Sequence, residues 1–171
     1  SETYYALLDA LNENNVTVLS PLASADSFID WDSEVEIRIL SPYGIDYGRV
    51  DDFNDTSYML RVTYKNTSLL LTGDATQVAE RLAMKALPNS YFKADVLKVA
   101  HHGSSDATSE KFLDVVNPSI AVISCGLNNE YGHPDQALLD RLNERGIIIY
   151  RTDTDGTISL LLDGTNVRVL K

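Results

Sequence analysis

Several kinds of residue or segment are scarce in this chain, and each shortage excludes a class of bond, site or structure. One cysteine occurs in 171 residues, so neither an intrachain disulfide nor a zinc site built from several thiolates can form. That residue, Cys125, ends the apolar run of residues 120–125, which indicates a half-buried structural thiol rather than a nucleophile. No run approaches the roughly 18 apolar residues of a membrane helix, and no charged and then apolar leader opens the chain. We therefore expect no membrane contact by this segment itself.

Basic residues are scarce as well. The chain has 14 Lys and Arg against 25 Asp and Glu, which gives a formal net charge of −11. Phosphate binding depends largely on neutralisation by lysine and arginine, so this balance argues against a generic nucleic-acid-binding module. It argues less strongly against a metal-dependent nuclease, because a metal ion can bind a phosphodiester locally. Taken alone, the acidity favours a role in solubility.

Apolar residues make up 44% of the chain, enough for one domain with a core, which we predict to span residues 1–171. Helical spacing predicts helices at residues 3–14, 109–116 and 135–145, and one between Asp74 and Pro88 with Val78, Leu82, Ala83, Ala86 and Leu87 on its apolar face. Apolar runs predict strands at residues 16–19, 35–40, 59–64, 68–71, 95–100, 120–125, 147–150, 157–162 and 167–170, and a long loop at residues 43–55. Strands alternate with helices in the middle and hairpins lie at both ends, so we predict a layered α/β fold with a mixed sheet.

Two of the predicted strands end on polar side chains that are costly to bury. Asp74 follows the first of them, and the paired His101 and His102 follow the second. The third histidine, His133, lies in a polar loop after the strand of residues 120–125. Open α/β sheets bind their ligands outside the carboxyl ends of the strands, and Asp and His side chains together suit a Zn, Mn or Fe centre.

These residues also have simpler structural roles. Asp is a favoured N-cap residue, so Asp74 is a candidate cap for the helix that follows it. A single histidine is more often structural than metal-binding, but all three histidines of this chain follow apolar strands, which favours a metal site. Asp74 and one histidine still amount to about half of a site, because catalytic zinc normally holds three protein ligands and an open position.

An ordered set of motifs points to a family. They are Leu-Leu-Thr-Gly-Asp74, Ala-Asp-Val-Leu-Lys-Val-Ala-His101-His102-Gly-Ser-Ser, Asn-Glu-Tyr-Gly-His133-Pro and Tyr-Arg-Thr-Asp153-Thr-Asp-Gly156-Thr-Ile. In this order and over essentially the whole chain, the sequence resembles the metallo-β-lactamase-like domain of the ComEC competence family and related secreted or lipid-anchored hydrolases. The resemblance implies an αβ/βα sandwich, in which two sheets lie between helices, with a dinuclear Zn or Mn site at one edge.

The resemblance also implies roles for individual residues. The metal ligands would be Asp74 as the bridging aspartate, His101 as the late histidine, and Asp55 or Asn54 where the superfamily often has a middle histidine. His102 would face the substrate and His133 would line the pocket. Either of these two imidazoles would then protonate the leaving oxygen as a catalytic residue.

One signature of the superfamily does not occur in these residues, namely His-x-His-x-Asp-His or the related His-x-Asp-x-Asp-His. We therefore expect the chain to be the C-terminal part of a longer protein, truncated just after that motif, with the N-terminal half of the domain as its missing partner. Alone, the fragment would bind metal weakly and catalyse nothing.

For the intact protein, the resemblance implies metal-assisted hydrolysis of a phosphodiester, with DNA as the substrate in competence proteins, and an extracytoplasmic location. Two alternatives stay open. One is a non-catalytic interaction module on the same fold, in which His101 and His102 only cap loops; the metal content of the intact protein separates it from the hydrolase. The other is a hydrolase of a lactone, thioester or phosphocholine ester, which only a substrate panel can separate.

Overall fold

The structure is a computed structural model that describes residues 2–18, 23–24, 26–45 and 50–170. The helices are α1 (Glu2–Glu13), α2 (Gln77–Ala86), α3 (Glu110–Val116), α4 (Gln136–Glu144) and the single turn α5 (Thr152–Asp155). The strands are β1 (Phe28–Ile29), β2 (Val35–Ser41), β3 (Met59–Tyr64), β4 (Thr67–Leu71), β5 (Val96–Lys98), β6 (Ile120–Ile123), β7 (Ile148–Arg151), β8 (Ser159–Leu162) and β9 (Val167–Leu170). In these ranges, no helix is both long and apolar enough to cross a membrane.

The main sheet has seven strands in the order β1 to β7, so each strand lies beside its neighbour in the sequence. The pairs from β1 to β4 are antiparallel, and the pairs from β4 to β7 are parallel. Strands β8 and β9 form a separate antiparallel hairpin. The predicted mixed α/β fold is therefore confirmed. Because β4, β5, β6 and β7 run in one direction, their carboxyl ends meet at a single edge of the sheet.

The core lies against the parallel half of the sheet. Leu70, Leu97 and Ala121 are neighbours in register across β4, β5 and β6, and all three are fully buried. Continuous apolar runs are typical of parallel strands that are covered on both faces, which is why these short segments could be predicted from sequence. Phe92 and Phe112 close the core with an edge-to-face contact, with their ring centroids 6.1 Å apart. This packing holds the parallel strands in place, and the polar loops begin at the carboxyl ends of these strands.

Helix α2 differs from its prediction in its cap and in its buried face. Its N-cap is Thr76, whose side chain accepts a hydrogen bond from the backbone N–H of Val78, so the prediction that Asp74 caps this helix is wrong. Ala79 and Ala83 face the core, whereas Val78 is 37% exposed. Thr is a favoured N-cap residue, although it ranks below Asp, and its use here leaves the Asp74 carboxylate available at the sheet edge.

The N-terminal part of the chain shows a second difference. The predicted strand at residues 16–19 is wrong for residues 16–18, which are irregular, and residue 19 lies outside the described residues. Helix α1 forms where it was predicted, but it buries none of its side chains. In the predicted loop of residues 43–55, residues 46–49 lie outside the described residues and residues 53–56 form a 3₁₀ turn.

Candidate metal centre

The parallel strands bring the predicted site residues to one edge of the sheet. Asp74 lies three residues after β4, the pair His101 and His102 lies just after β5, and His133 lies in the loop after β6. The backbone N–H of His101 donates a hydrogen bond of 3.1 Å to the carbonyl of Gly73, which joins the first two segments directly. Asp74 and the paired histidines are therefore held together by the main chain as well as by the sheet.

The Asp74 carboxylate lies beside one of these imidazoles. Its Oδ1 is 3.6 Å from Nε2 of His102. The other ring nitrogen of His102, Nδ1, lies 2.7 Å from the carbonyl oxygen of Ser124, which can only accept a hydrogen bond. In the neutral ring, Nδ1 therefore carries the proton and Nε2 presents its lone pair on the Asp74 side. Two ligands of one tetrahedral zinc ion lie roughly 3.4 Å apart, so this pair has a suitable separation and protonation state for a shared cation.

His101 has other neighbours. Its Nδ1 lies 3.3 Å from Oδ1 of Asp106, and its ring centroid lies 5.9 Å from that of His133. The ligand role expected for His101 and the catalytic role expected for His102 both stay predictions. The geometry adds that His102 is the imidazole within ion-pair distance of Asp74.

Asp55 reaches the same region through the first turn of α2. It lies in the 3₁₀ turn Phe53–Thr56 and accepts a hydrogen bond from the hydroxyl of Thr76. Both residues line a groove of about 660 Å³ that also contains Asp106 and Arg81. In the described part of the chain, no group of three or more His, Cys, Asp and Glu side chains is arranged to hold a metal ion. The ligand role of Asp55 therefore stays a prediction.

His133 belongs to a small pocket on the other side of His102. Its ring is stacked with that of Tyr131 at 5.9 Å and an angle of 16°, and its Nδ1 lies 3.7 Å from Oδ1 of Asp135. The pocket has a volume of about 210 Å³ and is lined by His102, Cys125, Gly126, Asn129, Tyr131 and His133. Cys125 is half-buried there, as predicted. The histidine pair thus lies between an acidic groove and an aromatic pocket.

Comparison with known proteins identifies the family of this chain. The model of the metallo-beta-lactamase superfamily matches residues 10–127, which is more than half of the chain. The chain belongs to the metallo-β-lactamase superfamily. This match confirms the predicted fold class. The candidate centre therefore lies on the fold for which the sequence analysis predicts metal-dependent hydrolysis.

Three curated relatives of this superfamily domain have similar coverage. ComE operon protein 3 of Bacillus subtilis is 40% identical over 125 residues, which are 73% of this chain and 16% of the relative. Competence protein ComA of Neisseria gonorrhoeae is 37% identical over 139 residues, which are 81% of this chain and 19% of the relative. Recombination protein 2 of Haemophilus influenzae is 35% identical over 130 residues, which are 75% of this chain and 16% of the relative. The predicted resemblance to ComEC-like competence proteins is confirmed, and the chain spans less than a fifth of each relative's length.

An unusual backbone turn presents the histidines of this superfamily domain. His101, His102 and Gly103 are consecutive, and all have positive φ angles of 48°, 53° and 92°. A non-glycine residue in this region costs roughly 1–2 kcal/mol, and such strain is concentrated at functional sites. The Gly103 carbonyl accepts a hydrogen bond of 2.9 Å from the backbone N–H of Asp135, so the loop after β6 stabilises the turn after β5.

We expect Gly103→Ala to destabilise the superfamily domain by about 3 kcal/mol, from backbone strain and overpacking together. A Cβ at this position would lie 2.5 Å from Cβ of Pro134, in addition to the strain at a φ of 92°. The measurement is urea unfolding followed by circular dichroism. Gly132→Ala is the matched control, because its φ is also positive, at 72°, but its Cβ would meet nothing within 4 Å. Equal losses in the two variants would contradict the packing argument.

Lys98 is a residue of this centre to which the sequence analysis gave no role. Its Nζ lies 3.4 Å from the carbonyl oxygen of Gly73. Burial lowers the pKa of Lys98, and the nearby Asp74 carboxylate partly offsets that effect. The sequence carried a signal for this role, because Lys98 is the single charged residue in the otherwise apolar parallel strand β5. The ammonium group balances part of the negative charge beside the histidines.

Glu80 is a second residue that the sequence analysis missed. It is 1% exposed, and its carboxylate accepts hydrogen bonds from the backbone N–H groups of Thr108 at 2.5 Å and Ser109 at 3.0 Å. Burial raises the pKa of Glu80, and the bonds from Ser109 and Thr108 partly offset this. The pH-dependent part of its contribution to stability is therefore fully present below the ordinary glutamate pKa and is lost as the pH rises through the raised value. The signal in the sequence was a charged residue between Ala79 and Ala83 on the core face of α2.

The Glu80 contact holds the loop that carries Asp106. Arg141 of α4 donates hydrogen bonds to the carbonyls of Ala107 and Thr108, at 3.0 and 2.7 Å. The carbonyl of Asp106 accepts a bond of 2.9 Å from the backbone N–H of Gln77. Helices α2 and α4 therefore fix the main chain at Asp106, whose carboxylate contacts His101, and at the two residues after it.

Proposed function

We propose that this chain supplies one edge of a divalent-metal centre in a hydrolase that cleaves phosphodiesters, with DNA as the substrate of the complete protein. The observation that carries the proposal is the separation of 3.6 Å between Asp74 Oδ1 and His102 Nε2. The orientation of His102 supports it, because Ser124 occupies the other ring nitrogen as the carbonyl partners of metal-binding histidines do. Membership of the metallo-β-lactamase superfamily supports the hydrolase assignment.

The donor set fits a Zn or Mn ion in part. Asp74 and His102 would hold it, and Asp55 and His101 stay candidates for a second position. We propose that the remaining ligands come from the superfamily's His-x-His-x-Asp-His or His-x-Asp-x-Asp-His motif, which does not occur in residues 1–171. A bound ion would act there as a Lewis acid that polarises a phosphoryl oxygen of the substrate.

His133 is the candidate general acid of this proposal. Its Nδ1 is buried and has no hydrogen-bond partner among the described residues, and the Asp135 carboxylate lies 3.7 Å from it. An imidazole can donate a proton to a leaving oxygen, which is the role proposed for His133. Asp135 is held in place because its Oδ2 accepts a hydrogen bond of 2.6 Å from the backbone N–H of Ser105, and hydrogen bonds from the Ser105 side chain and backbone lower the pKa of Asp135.

The substrate and the location are part of the same proposal. Two relatives carry names that refer to competence or its operon, and a third is named as a recombination protein. We propose that the complete protein acts on DNA outside the cytoplasm, with this domain cleaving phosphodiester bonds of the incoming molecule. The net charge of −11 means that this chain itself adds little to the attraction of a phosphate backbone.

The test is metal-dependent cleavage by the complete protein that carries this chain. We expect it to cleave bis(p-nitrophenyl) phosphate and a fluorescent oligonucleotide, to lose both activities in a chelator, and to regain them with Mn²⁺ or Zn²⁺. A lactone, a thioester and a phosphocholine ester form the control panel. Cleavage of one of these alone would indicate a different hydrolase. Failure of any divalent ion to bind at micromolar concentration would indicate a non-catalytic module.

A further inference from the structure

The pocket beside His102 has an exposed aromatic wall. The side chain of Tyr131 is 76% exposed, although one face of its ring is stacked with His133 at 5.9 Å. An exposed aromatic side chain needs no explanation when it is isolated, but this one lines a pocket of about 210 Å³. The same pocket contains His102, whose Nε2 lies 3.6 Å from Asp74. A flat group bound at Tyr131 would therefore lie next to the candidate metal centre.

The loop that carries Tyr131 is held rigidly by Asn129. The side-chain amide of Asn129 donates hydrogen bonds to the carbonyls of Gly126 at 3.0 Å and His133 at 2.6 Å. Its Oδ1 accepts a bond of 2.9 Å from the backbone N–H of His133. These bonds constrain the backbone on both sides of Tyr131, and the stack with His133 positions its ring before any ligand arrives. A pre-ordered contact surface loses less conformational entropy on binding.

The same bonds decide what kind of recognition the pocket can perform. The amide of Asn129 is occupied within the loop, Nδ1 of His102 is occupied by Ser124, and Nδ1 of His133 is buried out of a ligand's reach. Reading the edge of a base requires uncommitted donors and acceptors, whereas stacking requires only a π-face. The pocket therefore suits the flat ring of any base and does not select among sequences. Bases within a duplex are already stacked on both sides, so the ring must come from an unpaired nucleotide.

We infer that Tyr131 is a stacking platform for an unpaired base next to the phosphodiester that the metal centre cleaves. The inference deepens the proposed function and rests on it for the identity of the ligand. With few basic residues in the chain, stacking supplies a larger share of the affinity of this domain for single strands than charge does. Tyr131 is thus a substrate-binding residue whose side chain does not touch the reacting atoms.

The experiment measures binding without cleavage. The complete protein is titrated, in a chelator, into a fluorescent oligothymidylate and into an oligomer of equal length built from abasic nucleotides. Alanine substitution of a stacking residue costs roughly 1–3 kcal/mol per base, so we expect Tyr131→Ala to weaken binding of oligothymidylate about tenfold. We expect no change in binding of the abasic oligomer. Tyr131→Phe keeps the ring and should keep the affinity. Trp31→Ala, at a residue that is 78% exposed and lies before β2, is the matched control and should change neither.

Three results would overturn the inference. Unchanged binding of oligothymidylate by Tyr131→Ala would show that no base stacks there. An equal loss for both oligomers would show that Tyr131 only positions His133. A loss in Tyr131→Phe as large as that in Tyr131→Ala would assign the effect to the hydroxyl group.

The experiments can overturn the proposed function independently of this inference. If the wild-type protein cleaves no phosphodiester with Mn²⁺ or Zn²⁺, but Tyr131→Ala selectively loses binding of the oligomer with bases, the base-binding pocket stands and the hydrolase assignment falls. If cleavage occurs and the selective loss does not, the opposite conclusion holds.

Discussion

Asp74→Asn is expected to reduce metal-dependent cleavage by the complete protein roughly a thousandfold or more, because it removes a charged ligand of an ion that must stabilise developing negative charge. Asparagine keeps the size of the side chain, so the effect isolates the charge. The measurement is kcat/KM for bis(p-nitrophenyl) phosphate, together with metal affinity by calorimetry. We expect both to fall together, since the carboxylate lies 3.6 Å from the imidazole with which it would share the ion.

The controls for this prediction are built into the chain. Asp9→Asn removes an exposed carboxylate on α1 and should leave kcat/KM unchanged. His101→Ala and His102→Ala form a matched pair on adjacent residues. The geometry predicts the larger loss of metal affinity for His102→Ala, and the opposite ranking would support the ligand role expected for His101. Full activity in Asp74→Asn would exclude the site altogether.

Glu80→Ala is expected to destabilise the domain by about 4 kcal/mol, because it leaves one buried and one partly buried backbone N–H group without acceptors, at roughly 1–3 kcal/mol each, and creates a cavity. Those groups belong to Thr108 and Ser109, and Thr108 is fully buried. The measurement is the free energy of unfolding in urea. We also expect the loop of residues 104–109 to exchange its amide hydrogens faster, which mass spectrometry can detect.

Glu144→Ala provides the comparison for Glu80→Ala. Glu144 also lies on a helix, α4, but its side chain is exposed, and surface substitutions of this kind usually change stability by less than about 0.5 kcal/mol. A similar small change in Glu80→Ala would mean that water satisfies the two N–H groups and that the carboxylate is not required to hold the loop.

The fold could be predicted where the pattern is local. The parallel strands are continuous apolar runs, and the hairpin of β3 and β4 is joined by a short polar turn, so neither depends on distant residues. The strand expected at residues 16–19 does not form over the described residues 16–18, because strand formation needs a partner. Val16 and Val18 are 50% and 64% exposed, so in this structure they have no sheet to join.

The site could be predicted only in outline. Sequence order indicates that the residues after β4 and β5 meet, since parallel strands end at the same edge. It does not indicate which of His101 and His102 faces Asp74, because consecutive positive φ angles set the direction of each ring. Glu80 was missed for a related reason: its partners lie 28 and 29 residues away, and only the fold brings them to it.

The tautomer of His102 is set by a peptide carbonyl, that of Ser124. Every amino acid has a carbonyl, so mutation at position 124 can alter the side chain there without deleting the acceptor. Substitutions at position 124 therefore leave the tautomer of His102 unchanged unless they displace the backbone just after β6.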